Sequence, residues 1–263
     1  MNPVRSIIRS TPQEIRMKLW HSLLASLAFA CSMAAVGPAF ALTVSPVQIE
    51  LVALGDRNRA TVTVLNDSPQ PMAIEAVVQR MILDENGRSQ TAKAGDEFLL
   101  MPPMALIPPG GTQNFRVQWL GDPMMEASQS FYIFFNQVPV KMPKDHKGVQ
   151  VVVSMGVIAN VAPAQGAPRL QVVGTGVVVD KGGKRRPTLT VLNPSNVHAL
   201  LPQSTVRLAS GSWSETLPSG LLSEHLGSGL VQPGKRRKFV LPVELPANVA
   251  TIQANIEMRP QKR

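Results

Sequence analysis

Hydrophobic and polar residues alternate with a two-residue period along most of the chain from residue 42 onward, and β-branched residues dominate the alternating runs. That period predicts strands over 43–51, 59–65, 72–83, 98–101, 112–120, 131–138 and 149–161. A second series follows at 170–179, 188–192, 206–209, 228–231, 238–242 and 251–258. The runs stop at turn-forming clusters such as Asn66-Asp67-Ser68-Pro69 and Asp84-Glu85-Asn86-Gly87. Asn86-Gly87 is the pair favoured in a type I′ hairpin. No long stretch has the 3.6-residue period of an amphipathic helix. The pattern predicts an all-β protein built as antiparallel sandwiches, with about seven strands in its first half.

Residues 162–168, Ala-Pro-Ala-Gln-Gly-Ala-Pro, are small and Pro-rich and read as a linker between two β domains. The two halves share one local echo. Thr61 to Asn66 (Thr-Val-Thr-Val-Leu-Asn) matches Thr188 to Asn193 (Thr-Leu-Thr-Val-Leu-Asn), and each is followed by Pro within three residues.

The first 41 residues follow a different pattern. Arg5, Arg9, Arg16 and Lys18 precede an apolar run over 19–36, and Ala39-Phe40-Ala41 is a small-x-small cleavage site. This is the plan of a secretory signal peptide, with Leu42 as the first mature residue. Its removal changes the composition. The whole chain has 263 residues, 26 basic against 17 acidic side chains and one cysteine, Cys31. The remainder would carry 22 basic and 16 acidic residues, a net +6, and no cysteine. Neither a disulfide framework nor a multi-thiolate metal site is then available. No later stretch is long and apolar enough to span a bilayer, so the mature protein is expected not to be membrane-embedded.

Candidate chemistry is sparse. His146, His198 and His225 have no metal-ligand spacing and read as loop or surface residues. Ser130 and Ser154 lack the Gly-x-Ser-x-Gly context of a hydrolase elbow, and no phosphate-binding loop is present. No catalytic set, metal site or cofactor site is expected. The basic clusters at 181–186 and 235–238 sit beside Gly182-Gly183 and Pro233-Gly234. They read as solvated turn charge. With few aromatics to stack bases, nucleic-acid binding is not expected. The most informative run is 149–161, where Val149, Val151, Val153, Met155 and Val157 would form one face. Both faces are largely apolar, which fits either a central strand or an edge strand that offers its apolar row to a partner.

Five pieces, in order, carry a family resemblance over essentially all of residues 42–260. They are Val44-Ser45-Pro46-Val47, Val62 to Asp67, and Leu100 to Gly110 followed by Phe115-Arg116-Val117. The other two are Ser130 to Pro139 and Leu192 to Val197. The chain resembles the PapD-like periplasmic pilus chaperones. The resemblance implies two immunoglobulin-like β-sandwich domains in a boomerang arrangement, located in the periplasm of Gram-negative bacteria. Residues 42–162 would form the N-terminal domain with its donor strand, 163–168 the linker and 169–263 the C-terminal domain. It implies partners as well: pilus subunits with an incomplete immunoglobulin fold, and an outer-membrane usher that receives them. The donor strand would be Val149, Val151, Val153 and Met155, with no cofactor. Such an exposed strand also favours a self-capping dimer.

The chain departs from the family pattern where a subunit's C-terminal carboxylate is held. Gln48 stands at the position of the family's arginine and Ile158 at that of its lysine. Gln48, Asn160 or cleft backbone groups would have to serve instead, or the protein would be a repurposed accessory or adhesion component of a pilus system. Ala127-Ser128-Gln129 and Ala162 replace further charged positions, so no ionic link between the domains is expected.

Overall fold

The structure is a computed structural model and describes residues 42–139 and 152–259. It contains two immunoglobulin-like β-sandwiches. In the first, β1 (Leu42–Ser45), β3 (Arg59–Asn66), β8 (Thr112–Trp119) and β6 (Phe98–Met101) form one sheet, in the order β1-β3-β8-β6. The facing sheet has the order β2-β10-β9-β4-β5 and joins β2 (Gln48–Val52), β10 (Ser154–Ala162), β9 (Gln129–Gln137), β4 (Met72–Leu83) and β5 (Ser89–Lys93). β7 (Met104–Ile107) pairs with the start of β4.

Alternating side chains from the two sheets fill the space between them. Val62, Val64, Phe115 and Val117 meet Ile74, Phe131, Ile133, Phe135, Val157 and Ala159, all fully buried. This is the period-two pattern expressed as a core. One expected strand is divided: 43–51 is two strands in different sheets, because the chain crosses from β1 to β2 at Pro46. Proline has no N–H to continue a ladder.

The second sandwich pairs β11 (Gln171–Val179), β12 (Arg185–Leu192) and β17 (Arg236–Val240) in one sheet. β15 (Trp213–Leu217), β14 (Ser204–Ser210) and β18 (Gln253–Met258) form the other, in that order. The short pair β13 (Ala199–Leu200) and β16 (Leu230–Val231) stands apart. A separate core gathers Leu189, Val191, Leu201, Val206, Leu217 and Phe239 with Leu222 of the helix α1 (Ser219–Leu226). The sequence pattern missed α1, β5, β7, β13 and β15. These elements have eight residues or fewer, and β5 is exposed throughout, so no burial period marks it.

The sequence echo is a duplicated turn. Asn66 and Asn193 are both fully buried. Asn66 Nδ2 donates to the carbonyls of Gln70 and Ile107 at 2.8 and 3.0 Å. Asn193 Nδ2 donates to those of Val197 and Val231 at 2.8 and 2.9 Å. Each Asn Oδ1 accepts from the N–H and hydroxyl of a serine two residues on, Ser68 or Ser195. Each Asn carbonyl accepts from a glycine N–H on another loop, Gly110 or Gly234, at 2.8 Å. The same side-chain device closes both domains.

The hairpin after β4 is a second duplicated form, and it differs from the expected type I′ turn. Gly87 N–H donates to Asp84 O, and Asn86 has negative φ, so Glu85-Asn86 are the central pair and Gly87, at φ +83°, follows them. A type I′ turn would need positive φ at its first central residue as well. The hairpin between β11 and β12 repeats this form with Asp180 and Gly183.

Candidate functional site

β10 is bonded unequally on its two sides. Against β9 it pairs over eight positions, from Ser154↔Asn136 to Val161↔Gln129. Against β2 it pairs, in parallel, only from Ile158↔Gln48 to Ala162↔Val52. The stretch before Ile158 therefore has one side without a strand partner among the described residues. Val153 and Met155 lie on it, half-buried against the core, in the row that continues inward to fully buried Val157. Gln137 extends the β9 contact, its N–H donating to Val153 O at 2.9 Å. Val149 and Val151 lie outside the described residues.

The parallel register sets Gln48 and Ile158 side by side, with Tyr132 opposite Ile158 on β9. Gln48 Nε2 donates to Glu50 Oε1 at 2.7 Å. Ile158 and Tyr132 pack on a small apolar seam of Met81, Leu200 and Leu230, which joins the two sandwiches. One turn of the pleat further along, the row becomes polar: Glu50, Asn160 and Ser130.

Sequence reading missed the centre of this row. His198, expected on a loop or surface, is 3% exposed and bridges the two domains. Its Nε2 lies 2.6 Å from Glu50 Oε2, and its Nδ1 lies 3.1 Å from Ser128 Oγ. Nε2–H donates to the carboxylate, and Nδ1 shares a hydrogen bond with the serine hydroxyl whose direction follows the protonation of the ring. Asn160 Nδ2 donates to Glu50 Oε1 at 2.9 Å, and Ser130 Oγ donates to Asn160 Oδ1 at 2.7 Å. Burial alone would raise the Glu50 carboxyl, but the hydrogen bond and charge of His198, with bonds from Asn160 and Gln48, hold it below its ordinary value.

The structure changes three expectations. Where no ionic link was expected, a hydrogen bond from the His198 ring to the Glu50 carboxylate joins the domains. Asn160 is fully buried and engaged with Glu50 and Ser130, so its side chain is not presented to a client. Two basic-cluster arginines are structural rather than solvated. Arg185 donates to the carbonyls of Pro246, Ala247 and Val249. Arg237 bonds Leu230 O at 2.7 Å and stacks 5.0 Å above the Phe239 ring. Desolvation by burial lowers the Arg237 pKa.

Ser128, His198 and Glu50 together have the residue types of a hydrolase triad. The arrangement does not serve that chemistry. Ser128 is buried, and its hydroxyl is taken by both the backbone N–H and the ring of His198. A nucleophile needs open approach to a carbonyl.

Further polar contacts fix the junction. The Gln232 side chain adds to the edge of β4, accepting from Leu83 N–H at 3.0 Å and donating to Met81 O at 2.9 Å. Ser128 N–H donates to Asn196 O, and Lys238 N–H to Glu85 O. Backbone, side-chain and apolar contacts together span the two domains.

A protein of two immunoglobulin-like sandwiches, joined through a polar row beside a partly open strand, is the class these features define. Residues 42–164 match the family described as pili and flagellar-assembly chaperone, PapD N-terminal domain. The first sandwich is thus of the PapD N-terminal domain family. A chain of the Salmonella enterica SafA pilin–SafB chaperone complex superposes with a TM-score of 0.51 at 15% identity, covering 79% of this chain and 86% of that one. The CsuC–CsuE chaperone–tip adhesion subunit complex of Acinetobacter baumannii gives 0.46 at 14%, covering 79% and 93%. The Pseudomonas aeruginosa CupB2 chaperone gives 0.46 at 14%, covering 82% and 99%. No protein of curated function matches the sequence.

Proposed function

We propose that the protein is a periplasmic chaperone. It binds pilus subunits by lending a β-strand to their incomplete immunoglobulin fold, and delivers them to an outer-membrane usher. The observation that carries this reading is the divided edge of β10, paired with β2 only from Ile158 onward. Ahead of that point Val153 and Met155 present an apolar row beside backbone that another strand can pair with. In this reading Val149 and Val151 extend the row into the subunit. Residues 1–41 are removed on export, 42–162 form the donor domain, and 163–168 link it to 169–263. Burial of three valines contributes on the order of 5–9 kcal/mol before ordering costs. The share from Val153 is smaller, because it already packs on its own core.

A second reading rests on the uncharged pair Gln48 and Ile158, with Glu50 beside them. A cleft floor that offers a carboxylate and an amide lacks the charge-assisted grip for a subunit's terminus. The protein would then be an accessory or adhesion component built on the chaperone fold. One experiment separates the two. The wild type and a Val151→Asp, Val153→Asp variant are co-expressed with candidate pilus subunits from the same genome. Strand donation predicts recovery of a periplasmic complex with the wild type alone. Equal recovery with both, or the protein itself in surface fibres, contradicts it.

A further inference from the structure

β11 is an edge strand unlike the other edges of the described sheets. β1, β6, β7, β13 and β16 have four residues or fewer. β2 carries Glu50, β5 Lys93, β15 Glu215, β17 Arg236 to Lys238, and β18 Glu257. Shortness and charge are the usual devices that keep an edge from pairing with another chain. β11 has nine residues and no ionisable side chain, and Val173, Val177, Val178 and Val179 on it are exposed.

Its sequence also reads the same in both directions. Residues 172–178 are Val-Val-Gly-Thr-Gly-Val-Val, with Thr175 at the centre. A two-fold contact sets residue i against j and j against i. An antiparallel pair of β11 strands centred on Thr175 therefore opposes Gly174 to Gly176, Val173 to Val177, and Val172 to Val178. Small residues meet small and β-branched meet β-branched. A self-pairing strand also sets any charge close to its own copy, and β11 has none to repel. The flanking charges, Arg169 and Asp180, have opposite sign and stand at opposite ends. Beyond the strand ends, the same register sets Arg169 of each copy opposite Lys181 of the other, a like-charge pair that solvent screens.

The backbone is suited to this pairing. Thr175 Oγ1 donates to Ile252 O at 2.7 Å and ties the middle of the strand to the sandwich. Gly174 and Gly176 carry no Cβ to hold off an approaching chain. The one interruption is a bulge: the register against β12 shifts between Val172 and Gly174 and bends the edge there, so the regular stretch offered to a second copy is 174–178.

We propose that β11 is a homodimerisation edge, through which two copies join their C-terminal sheets into one six-stranded sheet. This does not rest on the donor-strand reading, which concerns a different strand of the other domain. Sedimentation equilibrium of the purified protein tests it. The wild type is expected to be a dimer at tens of micromolar, and a Val173→Lys, Val177→Lys variant weakens the dimer at least ~10-fold by opposing like charges in register. In a Cys31→Ser background, Thr175→Cys is expected to cross-link under oxidation, because opposed residues lie about 4.5–5.5 Å apart. Ser214→Cys on β15 is the control that does not cross-link. A monomeric wild type overturns the proposal, as does a dimer indifferent to the paired lysines. So does a dimer lost in Val153→Asp instead, which would place the contact on β10.

Discussion

His198 Nε2 and Glu50 Oε2 stand 2.6 Å apart across the junction of the two domains, with the imidazole almost wholly buried and the carboxylate 37% exposed. Replacing His198 by Ala removes a charge-assisted hydrogen bond and leaves Ser128 Oγ and Glu50 short of partners. The expected cost is about 1–3 kcal/mol, moderated by the solvent that reaches Glu50. Urea unfolding with fluorescence detection measures it. An unchanged midpoint would show that the pair contributes nothing.

The same contact sets a pH dependence. Glu50 has a lower pKa folded than unfolded. Its contribution is therefore present at pH above the unfolded value and is lost as pH falls through the folded value. Stability measured by urea between pH 3 and 7 is expected to fall on the acid side, below about pH 4.3. Glu50→Gln, already weaker at neutral pH, is expected to fall less steeply there. Parallel curves for the two proteins would contradict this assignment.

Asn66→Ala and Asn193→Ala are expected to destabilise by similar amounts. Each substitution strips the donor from at least two carbonyls, one or both of them buried, and the acceptor from a serine, at a cost of about 2–4 kcal/mol. Chemical denaturation of the two variants checks the equivalence. A large cost in one and none in the other would deny that the turns are the same device.

Gly87 and Gly183 occupy matching places in two hairpins, at φ +83° and +78°. A Cβ on Gly183 meets nothing within 4 Å, whereas one on Gly87 comes to 2.5 Å from Arg237 Nη2. Gly183→Ala should therefore cost only the backbone strain, about 1 kcal/mol. Gly87→Ala should cost that much and also displace the Arg237 guanidinium. Equal unfolding midpoints would mean that the guanidinium yields freely.

Gln48→Arg is expected not to create a carboxylate grip. The new guanidinium would meet Glu50 Oε1, which Gln48 already contacts, and be neutralised there. Combining it with Glu50→Gln leaves the cation unpaired. Calorimetry with a peptide bearing a free C-terminus should show a gain only for the double variant. A gain with Gln48→Arg alone would refute the shielding by Glu50.

The strands of both sandwiches were legible because each buries one face, and burial imposes a period of two. The Asn66 and Asn193 turns were legible as a six-residue echo, since the same side-chain bonds need the same residues. The junction was not legible. Glu50, Ser128, Asn160 and His198 come from four separated stretches, and their meeting depends on the parallel register of β2 with β10 and on the seating of a second domain. No spacing rule links residues 148 positions apart. His198 follows a buried valine in a short loop, and polar residues in such loops are usually solvated. The edge of β10 was only half legible: alternation set its faces, while its partners had to be seen.

The eight-position ladder between β9 and β10 has a mechanical consequence. A load applied along β10 from its open end acts parallel to the strands, so the ladder bonds to β9 share it rather than breaking one after another. At the far end the strand carries Asn160, hydrogen-bonded to Glu50 and through it to His198. Tension on the open end is thereby carried into the seam between the domains, and the two sandwiches bear it together.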